Sequence, residues 1–250
     1  PISVLEIMED KLETLWLRGG FPDSLLAEDE QTSFIWREAF IRTYLERDIP
    51  QFGPRIPAET LRRFWTMLAH KQAELLNAAK LARSLAVDGK TIARYLDLLV
   101  DLLLVRKLNP WHNNKGKRLI KSPKIHIRDS GIVHALLGIT GREPLLGHPV
   151  VGMSWEAFVV ENIITAAPGG VLPSFYRTSA GSEMDLLLEM PGGELWAFEV
   201  KRSTSPTLSK GFHLARKDLN PNRCFVVYSG QEHYSLADGI EVVGLCALAE

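Results

Sequence analysis

The stretch Met184–Ser203, MDLLLEMPGGELWAFEVKRS, restricts what this chain can fold into more than any other part of it. Two runs of apolar residues flank Pro191-Gly192-Gly193, the pattern of two antiparallel strands joined by a short loop. A three-residue loop pairs Met190 with Glu194. Counting back from it sets Leu188 opposite Trp196, Leu186 opposite Phe198 and Asp185 opposite Glu199. Side chains alternate along a strand. One face then carries Met184, Leu186, Leu188, Met190, Trp196, Phe198 and Val200, and the other Asp185, Leu187, Ala197, Glu199 and Lys201. The charges gather at one end of one face.

Two carboxylates placed opposite each other repel, by roughly 0.2–1 kcal/mol even when exposed. A divalent cation removes that repulsion, and Mg²⁺ or Mn²⁺ suits one or two carboxylates plus water. Lys201, on the same face as Glu199, is placed to orient a water or to stabilise developing negative charge. The alternative is a solvated polar face with Glu199 and Lys201 paired, and the presence of Leu187 and Ala197 on that face argues against it. Upstream, WEAFVVENII puts Trp155, Val159, Ile163 and Ala166 on a buried helical stripe, with Glu156 beside it as a further candidate ligand. Glu161 reads as structural, and Glu183 shares the strand face of Asp185.

The rest of the chain divides into zones. Residues 1–69 are helical in pattern, with Phe40, Ile41, Tyr44 and Leu45 at helical spacing in WREAFIRTYLERDI. Residues 70–148 predict a helix capped by Asn77, a turn at AVDGK and a second helix from Thr91, a helix-turn-helix followed by short strand-like runs. Residues 149–250 predict helix, three strands, helix, strand and a last strand, a compact domain with a mixed sheet. The 250 residues suffice for two domains of ordinary size. Gly89-Lys90-Thr91 suggests a phosphate loop, but Ser84 stands where that loop needs glycine, and a helix precedes it instead of a strand.

The net charge of −1 hides a segregated strip. From Arg106 to Arg128 there are eight basic residues and no acid before Asp129, among them Lys115, Lys117, Arg118, Lys121 and Lys124. Such a strip predicts salt-sensitive contact with DNA phosphates. Lys90, Thr91 and Arg94 on the second helix are the candidates for contact in the groove. A winged helix whose basic wing meets an acidic protein is the competing reading, and His112 and His126 read as structural. Cys224 and Cys246 lack metal-ligand spacing and fit reduced thiols in a cytoplasmic protein. No apolar run reaches the length of a membrane span.

Glu156, Asp185 and Glu199-Val200-Lys201, on helix, strand and strand, resemble the PD-(D/E)xK nuclease superfamily. GGFP (Gly19–Pro22), TYLERDI (Thr43–Ile49), the helix-turn-helix, PKIHIRDSGI (Pro123–Ile132) and the C-terminal motifs together resemble the C-terminal region of a large prokaryotic family of AAA+ ATPases. The resemblance implies an α+β chain: a helical segment and a winged helix-turn-helix, then a PD-(D/E)xK nuclease-like domain around a mixed central sheet. It implies Asp185 and Glu199 as ligands of Mg²⁺ or Mn²⁺, with Glu156 in support and Lys201 assisting the attacking water. DNA and the upstream ATPase domain are the implied partners, ATP belonging only to that domain, and a homo-oligomer is compatible. Departures are Ala86, where such turns often have glycine, and Glu183 in place of proline at the first site strand. A catalytically silent module that binds DNA or protein and regulates the ATPase is the alternative.

Overall fold

The computed structural model describes residues 1–52, 56–111 and 119–249. They form two compact units, residues 1–107 with 125–158, and residues 108–124 with 159–250.

The first unit is helical. It begins with α1 (Leu12–Arg18), α2 (Pro22–Leu25) and α3 (Glu30–Thr43), the last capped by Asp29, whose carboxylate accepts from the Thr32 N–H. The helical pattern of WREAFIRTYLERDI continues through a π-helical turn at Tyr44–Asp48 into α4 (Ile49–Phe52). Its spacing does what it predicts: Ile41 and Leu45 are buried, and Phe40 stacks on Tyr44 with ring centroids 5.3 Å apart. Next come α5 (Ala58–Ala69), α6 (Ala78–Leu85) and α7 (Gly89–Asp101).

Helices α6 and α7 form the helix-turn-helix. Asn77 caps α6 by accepting from Lys80 N–H, and Asp88 caps α7 by accepting from Thr91 N–H. Between them Ala86 is left-handed at φ 53°, and Val87 N–H closes the turn on the Ala82 carbonyl at 3.0 Å. Ala82, Ile92 and Leu96 are buried in the common core with Phe64 and Trp65 of α5. A capped helix start after a helical segment is not a phosphate loop.

Strands β1 (Val105–Leu108) and β2 (Lys124–Ile127) pair as a two-stranded sheet. Then follow α8 (Ser130–Leu136), α9 (Arg142–Leu146) and α10 (Val151–Ala166), which begins in the first unit and ends in the second. The GGFP and RDSGI motifs meet at Asp129. Its Oδ1 caps α8 by accepting from Ile132 N–H, and its Oδ2 accepts from Gly20 N–H at 2.8 Å. Beneath them Arg37 is fully buried, donating to the carbonyls of Leu17, Ser33 and Gly131. Burial pulls its pKa down to about 10, with the Asp129 carboxylate working in the opposite direction.

The second unit is a six-stranded sheet in the order β3-β4-β5-β6-β8-β7. Its strands are β3 (Leu172–Arg177), β4 (Glu183–Glu189), β5 (Leu195–Val200), β6 (Arg223–Tyr228), β7 (Tyr234–Leu236) and β8 (Ile240–Gly244). β3, β4 and β5 are antiparallel neighbours, β5, β6 and β8 are parallel, and β7 returns antiparallel at the edge. The mixed sheet expected from the sequence is present; the short edge strand β7 was not expected. On one face α11 (Lys210–Leu219) buries Phe212, Ala215 and Leu219 against Leu187, Ala197 and Val226. On the other, Phe198 stacks on Phe225 at 5.0 Å. A cavity of about 100 Å³ lies beside Phe198 and Trp196, lined by Ile163 of α10 and by Leu245 of α12 (Leu245–Ala249). Fully burying such a side chain contributes roughly 1.5–3 kcal/mol, so the strand interiors hold the sheet together.

Candidate functional site

The hairpin closes as its loop predicts. Met190 N–H donates to the Glu194 carbonyl at 2.9 Å, and Gly193 takes the left-handed position at φ 82°. Leu188 faces Trp196 and Leu186 faces Phe198, the register counted from the sequence. One assignment differs. On the outer side of β4, Ser174 pairs with Leu187 and Tyr176 with Met184, so two steps on β3 match three on β4. The extra residue falls at Asp185–Leu186. A bulge of this kind reverses side-chain parity and re-aims the residues in it. Met184 therefore joins Leu187 and Ala197 against α11 rather than sharing the face of Leu186 and Leu188. Strict alternation has no means of anticipating this.

Asp185 and Glu199 are not solvent-facing. Their exposures are 8% and 5%. Asp185 Oδ2 accepts from Val200 N–H at 3.0 Å, tying the bulge to the end of β5. Glu199 lies opposite Val226 on the parallel side, and its Oε1 accepts from Lys201 Nζ at 2.6 Å. Lys201 is itself fixed by its backbone N–H, which donates to the Val227 carbonyl. Asp185 is thus tied to the end of β5 at Val200, the residue between Glu199 and Lys201, all in the second unit.

It adds a residue the sequence gave no reason to place there. Lys124, counted above only in the basic strip, has a side chain 3% exposed. Its ammonium lies 3.3 Å from Glu183 Oε1 and 3.4 Å from Asp185 Oδ1, and 5.7 Å from the centre of the Phe175 ring. Arg177 also reaches Glu183, at 3.4 Å. The segment carrying Lys124 is not a free wing. Asn109 and Trp111 exchange backbone hydrogen bonds with Phe175, Ile120 N–H donates to the Arg177 carbonyl, and Leu119 bridges Thr178. Residues 109–111 and 119–120, within the strip, extend the sheet edge at β3, because an unpaired edge offers backbone donors and acceptors that another strand can satisfy.

Glu156 is half-buried on the part of α10 that belongs to the first unit. Glu161, read as structural, is 8% exposed in the second. Lys90 and Arg94 are exposed on α7, Thr91 is half-buried there, and Lys121 is exposed. Lys115, Lys117 and Arg118, with His112, lie outside the described residues. Cys224 is a buried free thiol whose pKa burial pushes up to about 11, which keeps it unreactive.

Among the described residues, no group of three or more His, Cys, Asp and Glu side chains is arranged to hold a metal ion. The donor set at β4–β5 is a pair of buried carboxylates beside two ammonium groups. Such a set could hold only a largely hydrated Mg²⁺ or Mn²⁺, which keeps several waters and takes one or two carboxylates, and not a cation in an all-protein cage.

Residues 9–143 match the family described as "Domain of unknown function (DUF8612)", more than half of the chain. The chain belongs to the DUF8612 family. Downstream of the DUF8612 match, residues 151–248 match a second family, "Domain of unknown function (DUF4143)". Similar proteins are "Uncharacterized protein Mb2031c" of Mycobacterium bovis and "Uncharacterized protein Rv2008c" of Mycobacterium tuberculosis. Each is 44% identical over 243 residues, covering 97% of this chain and 54% of the relative. The DUF8612 chain therefore spans about half the length of these relatives. No solved structure matches it. Among its described residues no helix is long and apolar enough to cross a membrane.

Proposed function

We propose that the sheet domain of this chain is a metal-dependent phosphodiesterase module acting on DNA, and that the helix-turn-helix preceding it in the sequence contacts the DNA backbone. The observation that carries this reading is the burial of Asp185 and Glu199 on the adjoining strands β4 and β5, with Asp185 Oδ2 3.0 Å from the Val200 N–H and Lys201 Nζ 2.6 Å from Glu199. Buried carboxylates are kept where they are paired or hold a cation, and this pair sits at the D…ExK positions of the nuclease superfamily that the chain resembles. Asp185 and Glu199 would hold one Mg²⁺ or Mn²⁺. Such an ion neutralises phosphate charge and lowers the pKa of its bound water. Lys201 then holds the attacking water by donating to its oxygen, with Glu199 keeping the ammonium in place. On α7 the exposed Lys90 and Arg94, together with Thr91, supply phosphate contacts, as do Lys121 and the strip residues Lys115, Lys117 and Arg118. The resemblance to AAA+ ATPase C-terminal regions assigns ATP binding to another part of the whole protein, in the cytoplasm.

A second reading has its own observation. Lys124 and Lys201 already neutralise the two carboxylates, as they would in a catalytically silent nuclease fold that binds DNA or a protein and regulates the ATPase. Incubation with supercoiled, linear and branched DNA plus Mg²⁺ or Mn²⁺ separates the two. The first predicts cleavage that falls by at least about 10²-fold in Lys201→Ala. DNA binding without any cleavage, or cleavage equal in the variant, sinks it in favour of the second.

A further inference from the structure

Among the described residues, three carboxylates at β4 and β5, Glu183, Asp185 and Glu199, are paired with cations: Arg177, Lys124 and Lys201 each lie within 3.4 Å of a partner oxygen. Lys124 is the most buried of the three cations: its side chain is 3% exposed against 40% for Arg177 and 29% for Lys201. A lysine so enclosed keeps its charge only where carboxylates compensate its lost hydration. It lies between Glu183 and Asp185 and rests on the face of Phe175. It reaches them because the chain on the N-terminal side of β2 is tied to β3 through Ile120 and Leu119.

We infer that Lys124 is the built-in counter-ion of Asp185, standing where a further divalent cation would otherwise bind, and that it sets how many divalent ions this site accepts and how tightly. The inference rests on the carboxylate pair of the proposed function but not on its catalysis. With Lys124 present, an incoming dication meets carboxylates already paired with ammonium groups. Without it Asp185 loses the ammonium beside it, and a dication is attracted. Lys124 is a positioning residue in this account. It binds Oδ1 of the Asp185 carboxylate while the Val200 N–H binds Oδ2, and it touches no reacting atom.

The test is Mn²⁺ binding to the whole chain, read from the free Mn²⁺ signal by electron paramagnetic resonance, with no nucleic acid present. Lys124→Met is expected to bind Mn²⁺ about tenfold tighter than the unmodified chain or to take one ion more, while Lys124→Arg keeps the unmodified behaviour. If the unmodified chain binds none and cleaves nothing while Lys124→Met gains an ion, the counter-ion role stands and the phosphodiesterase reading falls. Equal affinity and stoichiometry in the unmodified chain and Lys124→Met overturns the counter-ion role, whether or not the chain cleaves DNA. Lys124→Gln repeats the measurement with a polar side chain. If neither neutral variant folds alone, Mn²⁺ is expected to restore the cooperative melt, and failure to restore it also overturns the inference.

Discussion

Gly19 and Asp129 are separated by more than a hundred residues, yet each dictates the other. Gly19 has φ +79°, and a Cβ built on it would lie 2.1 Å from Asp129 Oδ1. Gly19→Ala therefore combines left-handed backbone strain with a collision against a carboxylate that caps α8. The expected loss is about 2 kcal/mol or more in urea denaturation. His134 tests the same region by pH. It is fully buried, its Nδ1–H donating to the Leu17 carbonyl and its Nε2 accepting from Ser154, which in turn accepts from Trp16 Nε1–H. Burial holds the imidazole neutral, with its pKa pushed down from 6.5 to about 3. Between these values the unfolded chain takes up a proton that the folded chain refuses. Stability is therefore complete above about pH 6.5 and falls as the pH drops toward 3, by at most about 1.4 kcal/mol per unit. Denaturation at pH 7, 6 and 5 is expected to show this slope, and His134→Gln is expected to flatten it. Residues of this kind were only partly legible. The GGFP and RDSGI motifs were visible as words, but their meeting at Asp129 depends on tertiary contacts that spacing does not encode. Lys124 shows the same limit: its neighbours Ile125 and Ile127 mark a strand, and nothing in the sequence says which carboxylate a lysine on it will meet.

At the scale of elements, local chemistry carried the reading well. The Pro-Gly-Gly loop determined the β4–β5 register, and Asn77 and Asp88 marked the helix-turn-helix through their caps. Ala86 occupies the left-handed turn position at φ 53° where glycine carries no steric penalty. Ala86→Gly is expected to stabilise the chain by about 1 kcal/mol, seen as a rise in melting temperature. The exposed face of α7 has its own test. Lys90→Gln with Arg94→Gln is expected to weaken DNA binding across sequences and to reduce the slope of log affinity against log salt by about 2. An unchanged slope would remove α7 from the DNA contact. What escaped was the bulge at Asp185–Leu186 and the pairing of residues 109–111 and 119–120 with β3. Both are choices made by the partner strand, and they leave no periodic trace in the segment itself.

For the whole molecule, the α+β architecture was legible because helical and alternating patterns occupy different stretches of the chain. The match to DUF8612 covers residues 9–143 and that to DUF4143 covers residues 151–248, whereas the compact units interleave, with residues 108–124 joining the sheet unit. The sequence pattern singled out Asp185 and Glu199 as charges within apolar strands, and both are buried. The most direct measurement is anomalous diffraction from crystals soaked in Mn²⁺. The account predicts one anomalous peak in the unmodified chain, within about 2.2 Å of carboxylate oxygens of both Asp185 and Glu199 and otherwise surrounded by water. No peak at these carboxylates at millimolar Mn²⁺, with Lys124 and Lys201 still bound to them, would contradict it.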